Sequence, residues 1–233
     1  MTSPVRWYSR ETIKTGRYAM VGAEPAAARR VWFVLHGYGQ LAGDILRPFE
    51  SVVPEDTCVV APEGLSRFYR DMPRPDGSHL QRVGATWMTK ESREDDIADA
   101  VRWLQQVYDD VMANAPQATA VGVLAFSQGV ATATRWLAAG SVRVQHWVAW
   151  AGGLATDINH ERLRRQLAHT QVTLVVGDED PFIPAPAVQH ALERLQTWQE
   201  KASIARFAGG HRLDADLLTS ILAGLGTHGA QEP

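Results

Sequence analysis

A single cysteine, Cys58, among 233 residues rules out an intrachain disulfide, so nothing in the chain depends on an oxidising compartment and it reads as cytosolic. Long hydrophobic runs are also missing. The most apolar stretches, Val31 to Leu35 and Val121 to Ala125, fall far short of the roughly 20 residues that cross a bilayer. The N-terminal Met1 to Glu11 alternates polar and aromatic residues and has no apolar core of the kind a secretory leader needs. A soluble protein without a membrane span is expected. The 23 basic and 26 acidic residues are mixed along the chain, giving a net charge of −3, and no run of Lys and Arg could neutralise a phosphate backbone. Nucleic acid is therefore not an expected partner. His79, His146, His160, His169, His190 and His228 lack the paired spacing of zinc ligands, so no metal is implied. Repeats, low-complexity tracts and Gly/Ser linkers are absent, and residues 1–233 read as a single domain whose last residues, Thr227 to Pro233, fray.

What is present is 45% apolar residues, enough for one sizeable core. Strand-length runs occur at Val31–His36, Thr57–Ala61, Thr119–Ala125, His146–Trp150, Val172–Val176 and Ser203–Phe207, and several are apolar at consecutive positions, the mark of strands covered on both faces. Between them, Ile97, Val101, Leu104, Tyr108 and Val111 make one apolar face of a helix over Glu91–Ala113. Its acidic start (Glu91, Glu94, Asp95, Asp96) suits the positive end of the helix dipole. A second helix is expected over Pro186–Glu200 and a small-residue helix over Val130–Ala139. Strands alternating with helices imply a mostly parallel central sheet with helices on both faces. Arg6–Ser9 and Arg17–Gly22 are candidate antiparallel edge strands before the parallel part begins. In such sheets the chemistry collects in the loops after the carboxyl ends of the strands.

Reading those loops, Val121 to Phe126 ends in Ser127-Gln128-Gly129 and leads into the small-residue helix. A serine on so sharp a strand-to-helix turn projects its hydroxyl above the sheet; the plainer reading is a serine that only caps the helix. A serine hydroxyl needs a base to take its proton and a third group to orient that base. Both follow in the order this arrangement requires: an acidic turn, Gly177-Asp178-Glu179-Asp180-Pro181, after one strand, and Ala208-Gly209-Gly210-His211 after the next. Ser127, His211 and Asp180 are the expected nucleophile, base and orienter, with Asp178 as the alternative acid and His36 as the rival base. The loop His36-Gly37-Tyr38-Gly39-Gln40 should aim the Tyr38 N–H at a developing oxyanion, with the Gln128 N–H as second donor. Cys58 is expected to be a small buried hydrophobe.

Leu35 to Gly39, Ala61-Pro62-Glu63-Gly64, the Trp87 region, Phe126 to Gly129, Gly177 to Pro184 and Gly209-Gly210-His211 resemble the carboxylesterase/phospholipase family of small α/β-hydrolases, which includes the acyl-protein thioesterases. The resemblance covers Val31 to about Leu218. It implies an α/β-hydrolase fold, the same triad and oxyanion donors, no cofactor and a small-molecule acyl ester as partner, with a homodimer left open. Ala125 departs from it, standing where the family has glycine, and Ser66 to Trp87 is longer, more aromatic and more basic than the family leads one to expect. The short connection between Ala151 and Val172 leaves no room for a large cap. Phe68, Tyr69, Met72, Trp87 and Met88 are candidates to wall an acyl pocket. The expected reaction is hydrolysis of small or medium acyl esters, with thioester or lysophospholipid hydrolysis, or ligand binding without turnover, as the other readings.

Overall fold

The computed structural model describes residues 5–73 and 78–225; Thr227 to Pro233, expected to fray, lie outside the described residues. Among the described residues, nine strands and six α-helices follow one another as β1 (Tyr18–Gly22), β2 (Arg30–Leu35), α1 (Ala42–Leu46), β3 (Thr57–Pro62), β4 (Ser66–Pro73), β5 (His79–Thr86), α2 (Arg93–Ala113), β6 (Ala120–Phe126), α3 (Gln128–Ala139), β7 (His146–Trp150), α4 (His160–Gln166), β8 (Gln171–Gly177), α5 (Ala185–Trp198), β9 (Ser203–Phe207) and α6 (Ala215–Gly224). Seven strands form one sheet in the order β1-β3-β2-β6-β7-β8-β9, while β4 and β5 pair separately. All neighbours in the large sheet are parallel except β1, which runs antiparallel along β3.

Alternation along each strand divides the core in two. Val31, Phe33 and Leu35 of β2, with Val121, Val123 and Ala125 of β6, pack under α2, α3, α4 and α5. Trp32 and Val34, with Leu124 and Phe126, face α1 and α6. Every residue of β6 is buried, which is why its sequence is apolar without a break. Gly122 stands in register with Trp32, and a Cβ there would lie 2.5 Å from the indole, so the glycine makes room for the largest side chain of that face. The acidic first turn of α2 (Glu94, Asp95, Asp96) meets the expectation from the dipole.

The sheet, its helices and the edge strand over Tyr18–Gly22 agree with the sequence expectation, and only α4 lies between β7 and β8. The expected strand at Arg6–Ser9 does not form. β1 already occupies the outer edge of β3, and the preceding segment instead crosses α2, where Ser9 Oγ donates to Asp95 Oδ2 (2.9 Å) and Arg102 Nη1 to Glu11 Oε1 (2.9 Å).

Candidate active site

The parallel strands end their carboxyl termini side by side, and three loops meet there. Ser127, between β6 and α3, has φ 54° and ψ −118°, a conformation that costs a non-glycine residue about 1–3 kcal/mol and persists only where its surroundings impose it. They do so here from both sides. Ser127 N–H donates to Trp150 O (2.9 Å) at the end of β7. A Cβ on Gly129 would sit 2.6 Å from Leu35 O, and one on Gly152 2.2 Å from Ser127 O, so the turn is wedged between two neighbouring strand ends that only glycine lets approach. Ser127 makes no cap hydrogen bond to α3 through its side chain, which removes the plain N-cap reading.

The hydroxyl turns instead to His211, whose Nε2 lies 3.0 Å from Ser127 Oγ while Nδ1 lies 2.8 Å from Asp180 Oδ2. A carboxylate only accepts, so the ring proton sits on Nδ1 and Nε2 is left to accept from the serine hydroxyl. The Asp180 side chain is fully buried, and its other oxygen, Oδ1, accepts from Phe182 N–H (2.8 Å). The imidazole stands between Phe126 and Phe182, each ring centroid 4.9 Å away, which limits its swing. Asp178 points elsewhere and pairs with Arg206 at the surface (3.2 Å).

His36 is buried and committed. Its Nε2 accepts from Gly64 N–H (2.9 Å), which puts the proton on Nδ1, donated to Gly37 O (2.8 Å), and its ring stacks on Trp87 at 4.7 Å. Burial lowers its pKa, so the ring is neutral. It braces the Gly37–Gln40 loop and is out of reach as a base. In that loop Gly37 N–H donates to Gln40 Oε1 (2.8 Å), Gly39 N–H to Ala85 O (2.8 Å) and Gln40 N–H to Gly37 O (3.2 Å), leaving the Tyr38 N–H without an acceptor among the described residues. The Gln128 N–H opens α3 and has no acceptor within the helix. Two free donors thus flank the serine.

Sequence reasoning missed the supports. The Gln128 side chain donates to Met88 O (3.1 Å) and Thr86 Oγ1 (2.9 Å) and accepts from Trp87 N–H (3.3 Å), tying the start of α3 to the end of β5. Glu63, only 2% exposed, accepts from Arg17 Nε (2.7 Å) and Ala42 N–H (3.2 Å) and pairs with Arg67. Its place after a buried strand, in Ala61-Pro62-Glu63-Gly64, was the available signal. The five wall candidates separate. Phe68 lies against Tyr38 (5.1 Å between rings), and Met72 shares its side of the β4–β5 hairpin, whereas Tyr69 projects from the other side, 74% exposed. Trp87 is buried against His36 and donates to its carbonyl (2.8 Å), and the half-buried Met88 accepts from Arg135 at its thioether (3.6 Å), so both brace neighbouring elements. Cys58 is buried on β3, its pKa pushed up to about 11 by that burial. A groove of about 770 Å3 between α2, α3 and α4 is lined by Ile97, Val101, Arg135 and Asp157 and contains none of the three chemically linked residues. Among the described residues, no cluster of three or more His, Cys, Asp or Glu could hold a metal ion, and no helix is long and apolar enough to cross a membrane.

A mostly parallel sheet flanked by helices on both faces, with a serine on a strained turn after a central strand, defines an α/β hydrolase. The chain belongs to the phospholipase/carboxylesterase family, whose model matches residues 17–228, and at that level it is an esterase-type hydrolase. Among solved structures it is similar to esterase PE8 (23% identity, TM-score 0.65, covering 91% of this chain and 99% of that one). It is also similar to a phospholipase/carboxylesterase from Dyadobacter fermentans (17%, 0.61, 92% and 98%) and to Zea mays acyl-protein thioesterase 2 (14%, 0.62, 90% and 97%). A search of curated protein sequences finds no match.

Proposed function

We propose that the chain is a single-domain serine carboxylesterase that hydrolyses small or medium acyl esters through an acyl-enzyme. The observation that carries this reading is the unbroken chain from Ser127 Oγ through the His211 ring to buried Asp180, at 3.0 and 2.8 Å. His211 Nε2 takes the proton as Ser127 Oγ bonds to the ester carbonyl carbon, and the Tyr38 and Gln128 N–H groups receive the resulting oxyanion. His211 then gives that proton to the departing alkoxide as the carbon–oxygen bond breaks. Water, deprotonated by the same nitrogen, attacks the acyl-serine and releases the acid. Asp180 keeps the ring in the tautomer that can do this and stabilises the imidazolium that forms between steps. No cofactor enters any step.

The test is hydrolysis of p-nitrophenyl esters from acetate to decanoate by wild type and Ser127→Ala. Loss of turnover in the variant supports the reading, and wild-type turnover in the variant overturns it. A thioesterase would use the same residues on a better leaving group, and matched oxygen and sulfur esters separate the two.

A further inference from the structure

The β4–β5 hairpin is not a free appendage. Gly39 N–H donates to Ala85 O (2.8 Å) and Ala85 N–H to Gln40 O (3.2 Å), so the base of β5 continues directly from the loop that carries the Tyr38 donor. A Cβ on Gly84 would lie 2.5 Å from Gly39 O, which measures how closely the two segments are pressed together. Residues directly opposite on paired strands share a face. The face bearing Phe68 and Gly84 is the one turned to the loop, because Phe68 packs on Tyr38 and Arg70 Nη1 donates to Gly39 O (2.7 Å).

The next pair outward on that face is Arg70 opposite Arg82. Like charges directly opposite each other on a hairpin repel and destabilise it, so the pair is an unfavourable choice unless something negative joins it. Arg82 is exposed and has no hydrogen-bond or ion-pair partner among the described residues. Among the described residues, the hairpin carboxylate Asp71 belongs to the opposite face, where it is held by His79 (2.7 Å), and Glu63 is occupied by Arg17 and Arg67. The backbone of the pair lies about 7 Å, two residues of strand, beyond Phe68 and Gly84, and from there the Arg70 guanidinium folds back onto Gly39 beside the Tyr38 loop while Arg82 is exposed on the same face.

We propose that Arg70 and Arg82 form an anion subsite, so that the preferred substrates are esters carrying a carboxylate or similar anion several bonds from the scissile carbonyl. The inference rests on the esterase reading and deepens it. Arg70 supplies its free N–H groups while one remains on Gly39 O, and Arg82 supplies the adaptable second arm. The anion cancels the repulsion between them. The aromatic ledge accommodates the methylene or aryl spacer that links anion and ester.

The experiment compares kcat/KM for two matched pairs at low ionic strength. With the charge on the acyl side, the mono-p-nitrophenyl ester of adipic acid is set against p-nitrophenyl hexanoate. With the charge on the leaving side, 4-(butyryloxy)benzoate is set against its methyl ester. Wild type should favour the anion in at least one pair by about fivefold, as expected for exposed ion pairs, and high salt should abolish the preference. Arg82→Gln should lose the preference and Arg82→Glu should reverse it, while the neutral ester of each pair reports whether the variant is folded and whether Ser127 works. No preference in wild type, or a preference that survives in Arg82→Gln, overturns the subsite and leaves the esterase reading intact. Absence of turnover with all four esters overturns both.

Discussion

Replacing Gly177 by alanine should separate the two loops that carry Asp180 and His211. Gly177 ends β8, and a Cβ built there lies 2.2 Å from Gly209 O and 2.7 Å from Gly210 O, in the loop after β9 that leads to His211. Real Cβ atoms essentially never come within 3.0 Å of such an atom, so the Gly209 carbonyl must retreat by about 0.8 Å. That carbonyl also accepts Glu179 N–H (2.9 Å) from the acid loop, so the retreat pulls on both sides of the Asp180–His211 contact. The backbone at Gly177 is not left-handed, so alanine meets no torsional penalty and the whole effect is this collision. Overpacking of this kind costs about 1–3 kcal/mol, or roughly 2–12 °C in Tm for a chain of this size. A displacement near 1 Å in a reacting constellation lowers kcat by about 10²-fold. The assay is p-nitrophenyl ester turnover beside a thermal melt, with Gly43→Ala in α1 as control, since a Cβ there meets nothing within 4 Å. Turnover within threefold of wild type in a folded Gly177→Ala protein would refute the argument.

Three other outcomes follow from the geometry. Asp180→Asn should keep the fold but lower kcat on the order of 10⁴-fold, because an amide can present its N–H to Nδ1 and move the ring proton to Nε2; a loss under tenfold in the ester assay contradicts that. Asp157 is disfavoured as a charge by burial, yet hydrogen bonds from Arg135 and Arg93 outweigh this and hold its carboxyl down at about 2. Its contribution is present above the unfolded value of about 4 and is lost as pH falls through 2; because the side chain is 35% exposed, Asp157→Asn should cost only about 1 kcal/mol in urea unfolding at pH 7. His36, with a pKa lowered from 6.5 by burial, costs nothing above that value. As pH falls below it the unfolded chain takes up the proton first, and stability drops by up to about 1.4 kcal/mol per pH unit until the lowered folded value is reached. The stability advantage of wild type over His36→Gln should shrink between pH 7.5 and 5.5, and an unchanged difference would contradict the assignment.

The central sheet was legible because burial on both faces writes an unbroken apolar run, as in β6, and few other elements write one. Ser127 and Asp180 could be nominated because each follows such a run, and His211 because it follows the shorter, half-buried edge strand β9 in the order required, so locating the strands located the loops. The hairpin was not legible. Arg67, Arg70, Asp71, Gln81 and Arg82 place charge and polarity on both of its faces, and with no core beneath them nothing imposes a period of two. The opposite error occurred at Arg6–Ser9, where polar and aromatic residues alternate as in a strand but the segment is held by polar contacts on α2 and buries no face; Trp7 and Tyr8 are 85% and 79% exposed. Trp87 and Met88 follow β5 directly and are large and apolar, so sequence could not separate a wall from a support. That difference lies in the Gln128 side chain, which draws the end of β5 inward.

Ala125 shows which glycines such a serine turn requires. Its side chain joins the core cluster beneath α2 and α3, with Leu35, Val130 and Ala133, and one methyl is absorbed there as ordinary packing. The intolerance has a different location. Gly129 meets the end of β2, Gly152 meets the carbonyl of Ser127 from the end of β7, and Gly177 meets the histidine loop, each at a distance where a Cβ would lie within 2.6 Å of a backbone oxygen. These are contacts between backbones of adjacent strand ends, and no rotamer change can relieve them. The glycine two residues before the serine is thus open to alanine wherever the core beneath can take a methyl, whereas the glycines that let neighbouring strand ends close on the turn determine whether Ser127 can hold its positive φ at all.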